Sequence, residues 1–275
     1  MIIDSHAHIF PQKINQIATD AISGFYNYKM RHTGDPEELL ASGARAGVTK
    51  FVVFSTATTP AQVEKINSYI MEQLQQHSEF IGAGTMNRDY ENFSGELDRL
   101  IANGIHSVKL HPDFQKLAFD DEKMLELYSL MSDRGMFLIT HAGDFRYSYS
   151  SPARIQRVAK LFPDLRIVAA HFGGWSEWDE GRVRLSDLPN IYVDISSTYM
   201  DGVKINETYE GLEEMKKGLR AFDPEHIFFG SDFPMWDHKE ELDVLYSLGL
   251  DKAFLQKILS ENFIKFYSKY GKIKP

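Results

Sequence analysis

Residues 2–8 of the chain read IIDSHAH, an apolar run that ends in two histidines separated by one residue. Such a run is typical of a β-strand, and the period of two along a strand directs His6 and His8 to one face. Imidazole and carboxylate are the ligands that a divalent transition metal prefers. Three later apolar runs also end in such a group, at His141 in LITHAG, His171 in VAAHFGG and Asp232 in FFGSDFP. The sequence therefore predicts one metal site built from four strand ends.

The same strand-like runs predict the fold. Eight runs alternate with helical segments, at Ile2–His8, Lys50–Thr56, Phe80–Asn87, His106–Pro112, Met136–Gly143, Arg166–Gly173, Ile191–Ser197 and Ile227–Pro234. This alternation indicates parallel βα units, and nearly continuous apolar strands suit a sheet covered on both faces. We predict an α/β fold, a (β/α)8 TIM barrel, formed by residues 1–275 as a single domain. The segment Ala253–Tyr270 has no strand after it, so we expect an extra C-terminal helix on the barrel exterior.

Composition restricts the classes of partner. The chain has 275 residues and a net charge of −9, which argues against nucleic acid and anionic membranes as main partners. It has no cysteine, so disulfides and thiolate metal sites are excluded. No apolar stretch approaches the ~18 residues of a membrane span, and the start lacks the basic region of a signal peptide. We expect a cytoplasmic protein that acts on a small molecule, and the sequence leaves homo-oligomer formation open.

The other histidines of the chain need a separate interpretation. A lone histidine in an apolar strand is more often a hydrogen-bonded core residue than a ligand, but four at strand ends together with an aspartate fit a metal site better. Asp4 shares the strand face of His6 and His8, and we expect it to hydrogen-bond a ligand histidine. We assign no role to the histidines in helical or loop context, His32, His77, His226 and His238.

The fourth predicted strand, HSVKLHP, places Lys109 and His111 on one face. A lysine directed into a barrel is costly unless its charge is paired or modified. It could bind an anionic substrate, carry a carboxylate that bridges a second metal, or extend along the barrel wall as a structural residue. We favour the first of these. His111 would then lie near the substrate, although an ordinary loop histidine is an equally good interpretation.

Three further residues are candidates for substrate binding. Arg88 and Arg146 could meet a substrate carboxylate, but each is as well explained by a surface ion pair. Trp175 follows the predicted ligand His171 and could form the wall of a pocket for a planar substrate. Packing of loops over the barrel rim explains this tryptophan equally well.

The motifs DSHAH, VKLHP, THAG, AHFGG and GSDFP together resemble those of the amidohydrolase superfamily, and they span residues 4–234 in the expected order. The closer resemblance is to the amidohydrolase-related branch, which contains small metal-dependent hydrolases and aminocarboxymuconate-semialdehyde and resorcylate-type decarboxylases. The resemblance implies a barrel of metal-dependent hydrolase type with one divalent metal, usually zinc. It implies His6, His8, His141 and Asp232 as ligands, and His171 as a ligand or a partner of the reacting water. Mn²⁺, Fe²⁺ or Co²⁺ would suit the same donors, and a carboxylated Lys109 would add a second metal.

We therefore expect a metal-dependent hydrolase that uses an activated water on a small amide, lactone or ester. Asp232 suits the general base, and His171 suits a group that stabilises the oxyanion or orients the water. Non-oxidative decarboxylation of an aromatic or unsaturated carboxylic acid is the alternative, with Asp232 or a histidine protonating the carbon. A non-catalytic metal-binding barrel is a third interpretation, which a potential base beside the ligands disfavours.

Overall fold

Eight parallel strand positions form the sheet of this protein. The computed structural model describes residues 1–198 and 211–273. Within them the strands are β1 (Ile3–His8), β2 (Lys50–Phe54), β3 (Phe80–Gly82), β4 (Gly84–Thr85), β5 (Ser107–Leu110), β6 (Phe137–Thr140), β7 (Arg166–Ala169), β8 (Ile191–Asp194) and β9 (Ile227–Phe228). The segments β3 and β4 are two halves of one strand that is interrupted at Ala83, so nine segments occupy eight positions.

Hydrogen bonds between the first and last strands close the barrel. Neighbouring strands pair in parallel in the order β1-β2-β3 and β4-β5-β6-β7-β8-β9. The Ser5 N–H donates to the Phe229 carbonyl at 2.9 Å, and the His8 N–H donates to the Phe233 carbonyl at 2.7 Å. Ala7 and Phe233 form a parallel bridge beside these bonds. This closed parallel arrangement confirms the predicted (β/α)8 barrel.

Helices connect the strands and cover the outside of the barrel. Their bounds are α1 (Asn15–Tyr26), α2 (Pro36–Ala46), α3 (Val63–Gln76), α4 (Phe93–Ala102), α5 (Pro112–Gln115), α6 (Glu122–Asp133), α7 (Pro152–Leu161), α8 (Trp178–Leu185), α9 (Gly211–Ala221), α10 (His238–Ser247), α11 (Lys252–Gln256) and α12 (Asn262–Tyr267). Short 3₁₀ segments lie at Pro60–Gln62 and His171–Gly173, and a π-helical segment at Lys257–Glu261 joins α11 to α12. None of the described helices is long and apolar enough to cross a membrane.

The last helix closes one end of the barrel. The apolar residues in the barrel interior form one cluster with aromatic residues of α12, namely Ile3, Val52, Phe54, Ala83, Phe137, Ile139, Val168, Phe228, Phe263, Phe266 and Tyr267. Ile3 and Phe137 are the first residues of their strands, so α12 covers the end at which the strands begin. Within the segment Ala253–Tyr270, Ile258 and Leu259 pack in the larger core cluster with the outer helices, whereas α12 lies across the barrel end. Its aromatic rings remove from water the apolar side chains that an open barrel end would expose.

Candidate metal centre

Three of the predicted ligands converge where the strands end. Asp232 Oδ1 lies 3.4 Å from His6 Nε2 and 3.5 Å from His8 Nε2. The three ligand atoms lie within 4.8 Å of one another. Both imidazoles contact the Phe54 ring edge-on, and the Asp232 N–H donates to the His6 carbonyl at 2.9 Å. Two imidazole nitrogens and one carboxylate oxygen at this spacing form a donor set that fits a divalent metal.

Asp194 fixes the orientation of His6. Burial would raise the pKa of Asp194, but His6 and His171 and the hydrogen bonds to the carboxylate hold that pKa below its usual range. The ionised carboxylate can only accept, so His6 donates from Nδ1 to Asp194 Oδ2 at 2.9 Å. Nε2 of His6 then carries a lone pair that faces Asp232. A carboxylate behind a ligand histidine is a common feature of metal sites.

Asp232 is held in a similar way on its other oxygen. The Ser197 hydroxyl donates to Asp232 Oδ2 at 2.6 Å, and the Trp236 indole N–H donates to the Ser197 oxygen at 2.8 Å. Burial would raise the pKa of Asp232, but the neighbouring imidazoles, His6 first, lower it below its usual range. Asp232 also has a φ of 59°, a left-handed conformation that is strained for an aspartate. These contacts leave Oδ1 free to face the two histidines.

His141 and His171 face each other beside this cluster. His171 Nδ1 lies 3.0 Å from the Ser196 carbonyl, which can only accept, so His171 carries its proton there. Its Nε2 must accept, and His141 Nδ1 donates to it at 3.1 Å. His141 Nε2 is left as a buried acceptor without a hydrogen-bond partner in the described part of the chain, 4.0 Å from Asp113 Oδ2. Burial lowers the pKa of His171 to about 4 and lowers that of His141 well below its usual value, so both rings are neutral. His141 Nε2 offers a free lone pair, whereas His171 Nε2 would have to give up its bond to His141 in order to bind a metal.

Lys109 lies at the base of the site with its side chain completely buried. Its Nζ is 3.1 Å from His6 Nε2 and 4.8 Å from the centre of the Phe54 ring. Burial lowers the pKa of Lys109 to about 8. A structural lysine that extends along the wall keeps its ammonium group in water, which complete burial does not allow. The complete burial of Lys109 therefore favours the other two interpretations, a cation that binds an anionic substrate or a carboxylated lysine that bridges a second metal.

The converging side chains line a cavity of about 340 Å³. Its polar side is formed by His6, His8, Lys109, His111, His141, His171 and Asp232, and its apolar side by Ile22, Met30, Phe114, Pro234 and Met235, with Tyr26 between them. Helix α1 contributes Ile22 and Tyr26, and therefore covers the mouth of the barrel. The Tyr26 hydroxyl lies 2.9 Å from His111 Nε2. The sequence reasoning included His111 but missed Tyr26 and the two supporting residues Asp194 and Ser197.

The structure brings Trp175 to the site but not the two arginines. Trp175 lines a smaller cavity of about 190 Å³ together with Tyr26 and His171. Arg88 pairs with Asp89 at the surface, 3.3 Å away. The Arg146 guanidinium donates to Asp144 and to the Phe25 carbonyl, both at 2.7 Å, and does not line the cavity. Acidic and carbonyl groups of the protein therefore already satisfy both arginines.

Asp4 supports the site from behind, but not in the way that its strand position predicts. Its carboxylate accepts from the His6 and Ser231 backbone N–H groups at 2.9 Å, and lies 2.9 Å from His238 Nε2. The expected bond to a histidine of the site is thus made to backbone and not to imidazole. The register of β1 shifts between Asp4 and Ala7, which explains the different orientation. His238, to which the sequence assigned no role, is completely buried and belongs to this support.

Comparison with known proteins identifies a family for the chain and similar solved structures. A sequence model of the family described as amidohydrolase matches residues 3–269. A search of curated proteins gives no match. The solved structure of an uncharacterised TIM-barrel protein, Bb4693 from Bordetella bronchiseptica, is similar with a TM-score of 0.78 and 18% identity, over 98% of this chain and 99% of that chain.

Two further solved structures are similar in fold. A probable 2-pyrone-4,6-dicarboxylic acid hydrolase from Acinetobacter baumannii, with citric acid bound, has a TM-score of 0.71 and 17% identity, over 97% of this chain and 99% of that chain. A dihydroxybenzoic acid decarboxylase from Polaromonas, with manganese and the inhibitor 2-nitroresorcinol, has a TM-score of 0.73 and 10% identity, over 97% of this chain and 96% of that chain. At these identities the similarity establishes a shared barrel fold.

Proposed function

Because the chain belongs to the amidohydrolase family, we propose that it is a metal-dependent hydrolase that uses an activated water on a small amide, lactone or ester. The observation that carries this proposal is the convergence of His6 Nε2, His8 Nε2 and Asp232 Oδ1 within 4.8 Å of one another. These three residues would hold the metal, with His141 or His171 as further ligands. The donor set suits Zn²⁺ first, with Mn²⁺, Fe²⁺ or Co²⁺ as alternatives.

The chain's own groups suit hydrolysis. When bound, a divalent metal would lower the pKa of a coordinated water and polarise a carbonyl group. Asp232 would accept the proton of the water and transfer it to the leaving group, because Ser197 restrains one of its oxygens and leaves the other directed into the cavity. His171 is neutral with Nε2 as an acceptor, so it suits a group that orients water better than one that donates to an oxyanion. The Lys109 ammonium would meet an anionic group of the substrate.

Decarboxylation of an aromatic or unsaturated carboxylic acid is the second candidate. A buried cation beneath an apolar wall that includes Phe114 and Met235 suits a planar carboxylate. The dihydroxybenzoic acid decarboxylase of similar fold, which holds manganese and 2-nitroresorcinol, adds support. In this reaction the carbon–carboxylate bond breaks, its electron pair stays on the carbon and carbon dioxide leaves. Asp232 or a histidine, after accepting a proton from a substrate hydroxyl or a water, would deliver that proton to the carbon.

The test combines metal analysis with two assays. We expect about one divalent ion per chain, turnover that a chelator abolishes and added metal restores, and release of acid from lactones or esters without carbon dioxide. Carbon dioxide release from a dihydroxybenzoate as the main activity would favour the second candidate. A protein that binds metal and 2-nitroresorcinol but turns over neither class of compound would favour the non-catalytic barrel. His6→Ala should lose the metal and part of the thermal stability; unchanged metal content in this variant would contradict the ligand set.

We propose that the enzyme is cytoplasmic, a location with which the described helices, none of them able to cross a membrane, are compatible. Fractionation of cells that produce the full chain would test this location.

A further inference from the structure

The hydrogen bond between Tyr26 and His111 has a direction that a backbone group determines. The Phe114 N–H donates to His111 Nδ1 at 3.3 Å, at the N-terminus of α5. A ring nitrogen that accepts a hydrogen bond carries no proton, so the proton of His111 is on Nε2. Nε2 lies 2.9 Å from the Tyr26 hydroxyl and must donate to it. The Tyr26 oxygen is thus an acceptor in this bond, and its own hydrogen is available for a different partner.

No described residue takes that hydrogen. The bond with His111 is the one hydrogen bond that Tyr26 makes through its hydroxyl in the described ranges, 1–198 and 211–273. Tyr26 lines the main cavity between its polar and its apolar side, with its ring centre 6.5 Å from that of His141, and it also lines the smaller cavity beside Trp175. Tyr26 is half-buried, and its hydroxyl hydrogen is available in the cavity, which favours a site that a ligand oxygen completes.

From these contacts we propose that Tyr26 binds the substrate by donating its hydroxyl hydrogen to an acceptor oxygen of the substrate in this cavity. This inference rests on the proposed function, because it assumes that the substrate occupies the cavity. It assigns a role to a residue of α1, outside the strand ends. It also narrows the substrate class to compounds with an acceptor oxygen at that position, such as a carboxylate, a phenolate or a carbonyl. A ligand with an ammonium group at that position is disfavoured. Its N–H groups would face the Tyr26 hydroxyl hydrogen and the His111 imidazole that donates to the same oxygen.

The Tyr26 ring is fixed before any ligand arrives. The Arg146 guanidinium lies 5.3 Å from its centre and anchors α1 through the Phe25 carbonyl, at 2.7 Å. Trp175 contacts the ring edge-on at 5.3 Å. His111 is stacked on Phe114 at 3.7 Å, which restrains the imidazole as well. A donor held from both sides loses little conformational entropy on binding and discriminates strongly between ligand groups.

Two measurements test the inference on the full chain. The first is the tautomer of His111 in ¹⁵N-labelled protein, from two-bond proton–nitrogen correlations assigned by their loss in His111→Gln. We expect the proton on Nε2 and an unprotonated Nδ1. A proton on Nδ1 would overturn the inference, because Tyr26 would then be the donor to His111.

The second measurement compares two inert probes on the metal-loaded protein, 2-nitroresorcinol and 2-nitrophenol, which differ by one oxygen. The wild type should bind 2-nitroresorcinol about ten-fold more tightly, the effect of one hydrogen bond. Tyr26→Phe should bind both probes equally, with unchanged melting temperature and metal content. Tyr90→Phe is the matched control, since its hydroxyl donates to Glu64 at 2.7 Å, away from the cavity, and it should behave as wild type.

The outcomes separate this inference from the proposed function. If both probes bind and Tyr26→Phe keeps the ten-fold preference, the role of Tyr26 is refuted while the proposed function stands. If the protein takes up metal but neither probe, the role of Tyr26 and the substrate class inferred from it are refuted, while the assays with lactones and esters decide the proposed function separately.

Discussion

Lys109 Nζ lies 3.1 Å from His6 Nε2, the nitrogen that faces Asp232 and would bind a metal. Asp194 keeps the proton of His6 on Nδ1, so Nε2 offers a single lone pair. The lysine ammonium and a metal ion therefore compete for the same lone pair. Two unit positive charges about 4 Å apart repel each other by about 4 kcal/mol at the effective dielectric constant of a protein surface, and a divalent ion roughly doubles this repulsion.

We accordingly predict that Lys109→Met binds one divalent ion per chain at least ~10-fold more tightly than the wild type and loses turnover of anionic substrates. Methionine fills a similar volume, so the fold should be retained. Competition with a chelator and elemental analysis measure the effect. Lys50→Met is the matched control, because Lys50 is also a buried strand lysine but donates to the Ser78 carbonyl. A fall from two ions to one in Lys109→Met would instead identify Lys109 as a carboxylated bridge.

Asp232→Asn should retain most of the metal and lose turnover by ~10³-fold. The amide keeps an oxygen for the metal but cannot accept the proton of the reacting water, and general base catalysis typically contributes ~10²–10⁴-fold. Steady-state kinetics with parallel metal analysis will check this. Full activity of the variant would refute Asp232 as the base.

Ser197→Ala removes the hydroxyl that holds Asp232 Oδ2 at 2.6 Å. Asp232 should then rotate more freely, and we expect kcat to fall about ten-fold or more while metal content is nearly unchanged. Ser247→Ala serves as the control, since that hydroxyl donates to the Val244 carbonyl on an exposed helix face. Equal kcat values for the two variants would show that Asp232 needs no such support.

Asp194→Asn tests the support behind His6. An amide can donate to His6 Nδ1 and stabilise the wrong tautomer, so metal affinity should fall by about 10–100-fold. Titration of the metal into the apoprotein, at a temperature at which both proteins are folded, gives the two dissociation constants. An unchanged constant would mean that His6 is oriented by the barrel alone.

Glu241 on α10 gives a prediction about pH. Its side chain is buried, and burial raises its pKa well above the usual 4.5. The folded protein therefore binds this proton more tightly than the unfolded chain, so the contribution of Glu241 to stability is fully present below about pH 4.5 and is lost as the pH rises. Glu241→Gln should raise the melting temperature at pH 8 by about 2–4 °C, the effect of ~1 kcal/mol, and have no effect near pH 4.

The control for Glu241→Gln is Glu126→Gln, an exposed position on α6. It should leave the melting temperature unchanged at both pH values. If Glu241→Gln raises the melting temperature equally at pH 4 and pH 8, packing and not ionisation causes the increase.

The sequence predicts this site well where a reactive group ends an apolar strand. His6, His8 and Asp232 are of this kind, and alternation along β5 also places Lys109 inside the barrel. Asp194 ends β8 in the same way, and the acidic residue in YVDISS was a usable signal that the sequence reasoning passed over. These residues are predictable because strand periodicity is local, and the barrel brings all its strand ends to one rim.

Other features depend on tertiary contacts that leave no local pattern. Tyr26 reaches the cavity because Arg146 and Trp175 hold α1 across the barrel mouth. Charge makes Arg88 and Arg146 candidates for substrate binding, but charge alone does not reveal that Asp89 and Asp144 pair with them. The extents of the strands were overestimated as well. The backbone at His171 and Asp232 adopts φ values of 59°, at which a strand cannot continue.

The seam between β1 and β9 joins groups far apart in the chain. Ser5 and Phe229 are 224 residues apart, and the candidate ligands lie on both sides of this seam. Contacts of such sequence separation form late in folding, so a nascent chain on the ribosome has no pocket until nearly all of it has emerged. An ion bound between His6 and Asp232 would cross-link the seam and slow its opening. Slower deuterium uptake at the Ser5 and His8 amides would then show that the metal is bound, and this measurement needs no substrate.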